Sequence, residues 1–143
     1  MSFIKQVEIR WSDLDPNFHV RHSAYYDFGA YCRIAFFNEH GITPEVMMQH
    51  TIGPVLFREE CFFKKEISFE DKISIDLRLQ RVSGDFRKWT MCHDIWKNSE
   101  TLAAILTIEG AWMNTQLRKI TAPPEIFRNA FELFPKTEDF KYL

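Results

Sequence analysis

The sequence predicts an α+β domain in which a curved antiparallel sheet wraps around one long buried helix. Three observations carry this. A helical period runs from about Ser23 to Asn38 and is apolar on most of its sides. A period of two then takes over and persists as far as Trp112. Turn residues break that second stretch at Phe69-Glu70-Asp71, Ser83-Gly84-Asp85 and Lys97-Asn98-Ser99-Glu100. A chain of 143 residues suits a single domain, residues 1–143, with one core.

Each element has its own signal. Val7, Ile9 and Trp11 alternate with Glu8 and Arg10, a short strand with one buried face. Ser12 to His22 breaks all periodicity and reads as a loop holding Asp13, Asp15, Pro16, Asn17, His19 and His22. For the helix that follows, Ser23 is the expected N-cap, Asp27 lies near the positive end of the dipole, and Gly41 is the stop. Tyr25, Gly29, Cys32 and Phe36 form one stripe, while Tyr31, Ile34 and Phe37 cover much of the rest, so the helix is buried. A glycine at position 29 costs about 1 kcal/mol relative to alanine, so something approaches the backbone closely there.

Ile42 to Thr51 is a short link. Val55, Phe57, Cys61, Phe63 and Ile67 then share one parity. Ile73, Ile75, Leu77 and Leu79 alternate with Ser74, Asp76, Arg78 and Gln80; Trp89, Met91 and Ile95 make a third run, and Leu102, Ala104, Leu106, Ile108 and Trp112 a fourth. The short links predict that consecutive strands form antiparallel hairpins. Pro123 and Pro124 open a C-terminal helix ending near Phe134.

Composition narrows the function. A net charge of −2 lacks the basic excess of a nucleic-acid binder. Met1 to Glu8 interleaves charge with apolar residues, and no apolar stretch reaches the roughly 18–20 residues of a membrane span. Cys32, Cys61 and Cys92 are odd in number and far apart, which predicts reduced thiols in a cytoplasmic protein. Asp15, His19 and His22 are spaced too loosely for a metal site, and no cofactor is expected. Fourteen phenylalanines suit an aromatic core or the lining of an apolar ligand equally well.

The stretch Trp11-Ser12-Asp13-Leu14-Asp15-Pro16-Asn17-Phe18-His19-Val20 resembles the D-x-D-x-x-x-H-V signature of the hotdog-fold acyl thioesterase superfamily, in its 4-hydroxybenzoyl-CoA and acyl-ACP thioesterase branches. Tyr25 stands where that signature carries an aromatic. Phe69-Glu70-Asp71 and Arg87-Lys88-Trp89 also follow the family pattern. The resemblance covers about residues 5–120. It implies the hotdog fold and hydrolysis of acyl-CoA or acyl-ACP, with coenzyme A or phosphopantetheine entering only as part of the substrate. It further implies a homodimer or homotetramer whose substrate runs between subunits.

By the same resemblance Asp15 matches the catalytic carboxylate, and Asn17 and His19 match the residues that follow it in acyl-ACP thioesterases. His22 and Ser23 stand at the helix start, where a backbone N–H polarises the thioester carbonyl. Tyr25 and Tyr26 are candidate acyl contacts, and Arg87 and Lys88 candidate phosphate contacts. The chain departs from the family in two places. Phe18 replaces a common glycine before His-Val, and Arg21-His22 replaces Asn-Asn after it.

The chemistry suits these residue types. An ionised carboxylate attacks a thioester directly or deprotonates a water, and unpaired N–H groups at a helix start hold the oxyanion, one such donor contributing about 3–4 kcal/mol. Asn17 can hold water in register, and a histidine at position 19 can orient the carboxylate or carry a proton. Simpler roles compete. Aspartates favour turns by bonding their own backbone, and Asp13 is expected to be structural. A structural His19, core tyrosines and a solvated Arg87-Lys88 strand end are all ordinary. Two other functions fit the fold: a non-catalytic acyl-CoA or acyl-ACP binder, and a dehydratase or isomerase of 3-hydroxyacyl thioesters. The second would place its histidine on or near the central helix, which carries Asp27 and Glu39 but no internal histidine.

Overall fold

The computed structural model describes residues 2–143; Met1 lies outside the described residues. Strand β1 (Ile4–Val7) leads through an irregular segment, with a 3₁₀ turn at Trp11–Asp13, into helix α1 (Ala24–Glu39) and the short α2 (Pro44–Gln49). Then come β2 (Ile52–Phe63), β3 (Ile73–Asp76), β4 (Arg78–Val82), β5 (Lys88–Lys97) and β6 (Thr101–Asn114). The two-residue β7 (Lys119–Ile120), α3 (Glu125–Glu132) and β8 (Lys136–Tyr142) finish the chain.

One sheet holds all eight strands. β2 pairs with β6, β6 with β5, and β5 with both β3 and β4; β1 and β8 close the far side on β3 and β4. Every pairing is antiparallel except β4 with β8. The sheet curls around α1, the hotdog arrangement expected from the sequence. Among the described residues no helix is long and apolar enough to cross a membrane.

Helix α1 buries Tyr25, Phe28, Cys32, Phe36 and Phe37 against the sheet. It ends at Gly41, whose φ of 81° is the left-handed turn that glycine adopts without strain. The close approach expected at Gly29 is present: an added Cβ would lie 3.1 Å from Leu106 and 3.4 Å from the His93 ring. Tyr31 and Ile34, on the opposite side, are exposed, so the helix is not buried all round. Helix α3 brings Phe127 and Phe131, with Phe134 just beyond it, onto Phe36, Phe37 and Trp112. The phenylalanines thus divide, with these forming core while Phe18, Phe57, Phe62, Phe63 and Phe69 reach the surface.

Four expectations are corrected. The first strand ends at Val7 rather than reaching Trp11, because its ladder runs Ile4–Val7 on Asp76–Ile73 and β3 supplies no partner beyond Ile73; Trp11 is 74% exposed. The link after α1 holds a helix, capped by the Thr43 hydroxyl, which accepts from Val46 N–H at 3.1 Å, with Pro44 in its first turn. β2 and β3 do not form a hairpin, since residues 64–72 are enough to carry the chain to the other side of the sheet. A bulge at Phe57 breaks the parity of β2, and Phe57 and Phe63 are exposed because β2 is an edge strand. β8 was not expected at all.

Candidate active site

The loop before α1 folds on itself. Leu14 and Val20 bridge antiparallel, Asp15 N–H donates to His19 O at 2.8 Å, and Phe18 N–H donates to Asp15 O at 2.9 Å. Phe18 closes this turn at φ 63°, the conformation that the family's glycine takes freely and a phenylalanine does not. Val20 N–H donates to Ile67 O at 2.8 Å and fixes the loop to the chain beyond β2.

The two aspartates of the loop have different surroundings. Asp13 is fully buried and accepts from the Arg10 N–H, Nε and Nη2 at 2.8, 3.3 and 2.9 Å. Burial alone would push its pKa up, but the hydrogen bonds from Arg10 and the charges of Arg10 and Arg21 hold it below the usual carboxylate range. Asp15 is half-buried, and its Oδ1 accepts from Asn17 N–H at 2.9 Å and His19 N–H at 3.2 Å. Its Oδ2 has no hydrogen-bond partner among the described residues.

A cavity of about 410 Å³ opens beside Asp15, lined also by His19, Val20, His22, Tyr25, Phe63, Lys64, Lys65 and Glu66. The N–H groups of His22 and Ser23, just ahead of α1, have no acceptor among the described residues, whereas Ala24 N–H is taken by Arg21 O. Burial pushes the Tyr25 hydroxyl up to about 12, so it stays a hydrogen-bond donor. Tyr25 packs edge-on to Phe63 at 4.9 Å between centroids, and His19 Nε2 lies 3.8 Å from Glu66 Oε1.

The structure therefore brings Asp15, His19, His22 and Tyr25 together. Asn17 is exposed and faces a neighbouring cavity, so that its backbone rather than its amide touches Asp15. Ser23 sits at the N-cap position but makes no side-chain cap; its hydroxyl is engaged by Arg21. Tyr26 is half-buried against the core. Arg87 is tied to Asp85 at 2.7 Å and Lys88 opens β5, in the row of Ala111 and Val55. That row lies about 25 Å along the strands from Phe63, so neither cation reaches the cavity within one chain. The cations that do line it are Lys64 and Lys65, which sequence reasoning missed; their only signal was their position at the end of an apolar run. The cysteines are free, and burial raises all three, Cys32 and Cys61 to about 12, so they are inert thiols.

The hypothetical protein SAV2348 from Staphylococcus aureus, solved in complex with CoA, superposes with a TM-score of 0.84 at 18% identity, covering 92% of this chain and 82% of that one. DHNA-CoA thioesterase from Staphylococcus aureus gives 0.82 at 16% identity over 92% and 89% of the two chains. The 1,4-dihydroxy-2-naphthoyl-CoA thioesterase Slr0204 from Synechocystis gives 0.83 at 12% identity over 93% and 97%. At these identities the likeness is one of fold. None of the curated proteins matches the sequence. A family model described as the thioesterase-like superfamily matches residues 9–131, and the chain, with its hotdog fold, belongs to that superfamily.

Proposed function

We propose that the protein hydrolyses acyl-CoA thioesters, with Asp15 as nucleophile or general base. The observation that carries this is the Asp15 carboxylate, which keeps one oxygen unbonded at the wall of the cavity where α1 begins. A thioester carbonyl seated there meets the N–H groups of His22 and Ser23 as its oxyanion develops, while Asp15 attacks the carbon or takes a proton from water. The thiolate leaves and takes a proton from water or His19. Where Asp15 attacked, a water then hydrolyses the acyl–Asp15 anhydride to the free acid; where Asp15 took the proton, the hydroxide adds to the carbonyl and the acid is released directly. Lys64 and Lys65 offer charge for the phosphates of the substrate's handle. The solved CoA complex and the CoA thioesterases of like fold favour coenzyme A over a carrier protein.

The working unit in this reading is at least a dimer formed through β2. Among the described residues that strand pairs only with β6 and leaves twelve residues of free edge, with Leu56, Phe57, Phe62 and Phe63 exposed. Antiparallel pairing with a second copy would cover them and bring the Ile52 end of one β2 to the Phe63 end of the other.

Thiol release from short, long and aromatic acyl-CoAs tests the proposal. Turnover on at least one, falling at least 100-fold in Asp15→Asn, is expected. The asparagine Oδ1 still accepts the two loop N–H groups, so the variant keeps the loop. Undiminished turnover in a folded Asp15→Asn would overturn the role of Asp15, and no release from any thioester would overturn the activity.

A further inference from the structure

A second cavity, of about 300 Å³, lies beside the middle of α1, between that helix and the first half of β2. Its wall is apolar, with Ile34, Phe37, Met47, Leu56 and Trp89, apart from one charged side chain, Arg33. Arg33 is 8% exposed. Among the described residues its side chain makes one hydrogen bond, from Nη1 to His93 Nε2 at 3.0 Å. His93 is fully buried, and its Nδ1 is 2.8 Å from the Asp76 carbonyl oxygen. A carbonyl only accepts, so the proton sits on Nδ1 and Nε2 is the acceptor. The guanidinium is thus held by a neutral ring. Glu59 Oε2 is 3.9 Å from Nη2, beyond hydrogen-bonding distance, on a side chain about a third exposed.

Trp89 supplies part of the apolar wall; among the described residues its own indole N–H is buried away from any hydrogen-bond partner. The ring lies across Gly110, where an added Cβ would come within 2.5 Å of it. Burying a cation is costly unless it is paired, and packing alone would be served by leucine or methionine at position 33. The cavity therefore combines apolar walls with one guanidinium whose single hydrogen bond is to a neutral ring.

We infer that this cavity binds an apolar group ending in a carboxylate, with Arg33 as the residue that reads the carboxylate and His93 as the residue that positions Arg33. Resting on the thioesterase reading, the ligand is the distal end of the acyl group, and the substrates are monothioesters of short dicarboxylic acids. The volume equals about ten water-sized groups, which suits a short chain. Antiparallel pairing of β2 with a second copy sets Pro54 and Leu56 of one protomer beside the Phe63 end of its partner, so this cavity adjoins the partner's Asp15 cavity.

Calorimetric titration of the full chain with hexanoate and with hexanamide tests the site without reference to catalysis. Hexanoate is expected to bind at least 10-fold more tightly, and Arg33→Gln to abolish the difference. Equal binding of the two overturns the site, as does a preference that survives in folded Arg33→Gln; should that variant not fold, the two ligands on the native protein still decide. In parallel, kcat/KM for glutaryl-CoA is expected to exceed that for pentanoyl-CoA at least 10-fold. The reverse order overturns the substrate assignment while hydrolysis stands. A carboxylate preference with no thiol release from any acyl-CoA overturns the thioesterase reading and leaves the carboxylate site.

Discussion

Helix α1 meets polar side chains at two places, and it treats them differently. At its start Asp15, His19 and His22 edge an open cavity, where water shares the work of solvating them. Near its middle Arg33 and His93 are enclosed largely by hydrocarbon and rely on each other, on the Asp76 carbonyl and, for Arg33, on the Glu59 carboxylate 3.9 Å away. The first arrangement costs the fold little and leaves a carboxylate oxygen free for chemistry. The second strains against desolvation, which lowers the pKa of both Arg33 and His93, and it is worth keeping only where a ligand uses it. Reactivity at the helix start and selectivity at its middle are what the contrast suggests.

The sharpest way to break that contrast is to exchange roles within the loop. Asp15→Asn is expected to cost at least 100-fold in kcat with a melting temperature within a few degrees of the native protein. Asp13→Asn is expected to do the converse. It weakens the buried bonds to Arg10, costing about 2 kcal/mol of stability, and leaves kcat near native where the protein is folded. Denaturant midpoints and thiol-release rates on both variants would check this; a stable, inactive Asp13→Asn would place the chemistry on the wrong aspartate.

The loop was legible because its residues are contiguous: Asp13, Asp15 and His19 carry their spacing on the surface of the sequence. The long helix, β5 and β6 were legible for a similar reason, their period being set by one buried face, whereas the run from Ile73 to Leu79 reads as one strand and the chain breaks it at Leu77 into β3 and β4. The Arg33–His93 pair was not, since the two residues are 60 positions apart and meet only because α1 lies on β5. β8 was hidden because Lys136-Thr137-Glu138-Asp139-Phe140-Lys141-Tyr142 has no apolar face to announce it; it is held by its ladder on β4 at the sheet edge. The β2–β3 link misled because a short, turn-forming segment permits a hairpin without requiring one.

A neutral His93 also makes the helix middle sensitive to acid. Burial first, then the charge of Arg33, pushes its pKa down to about 3 against the raising effect of the Asp76 carbonyl, whereas an unfolded histidine titrates near 6.5. Between those values the unfolded chain binds the extra proton, so stability falls as pH drops, by about 1.4 kcal/mol per unit. The lowered carboxylates Asp13, Asp71, Asp85 and Asp139 add their loss only below about pH 4, and the raised Asp76 opposes them. Urea midpoints at pH 7, 6 and 5 should therefore decline, and His93→Gln should flatten the decline. A native protein equally stable at pH 7 and 5 would contradict a neutral buried His93.

Gly29 gives a smaller test of the same packing. Alanine would gain about 1 kcal/mol in helix propensity, but its Cβ would sit 3.1 Å from both Arg33 Nη1 and Leu106 Cδ1. Overpacking costs about 1–3 kcal/mol, so Gly29→Ala is expected to lose about 1 kcal/mol in denaturant titration and to weaken hexanoate binding by displacing the guanidinium. A stabilised variant would mean that Arg33 moves aside freely.

At the helix start the matching substitution should act in the opposite direction. Phe18 pays for its φ of 63° about 1–2 kcal/mol, and its ring recovers little, being 64% exposed beside the exposed Trp11 at 6.3 Å between centroids. Glycine removes the strain but adds about 0.4–1 kcal/mol of unfolded-state entropy. Phe18→Gly is therefore expected to raise the melting temperature by only a degree or two. The Asp15 loop bonds are backbone bonds and survive the change, so kcat on a short acyl-CoA should hold. A loss in kcat with the melting temperature maintained would mean that the strained turn displays the Phe18 ring to the substrate, and that the cost of its conformation is borne for binding rather than for the loop's shape.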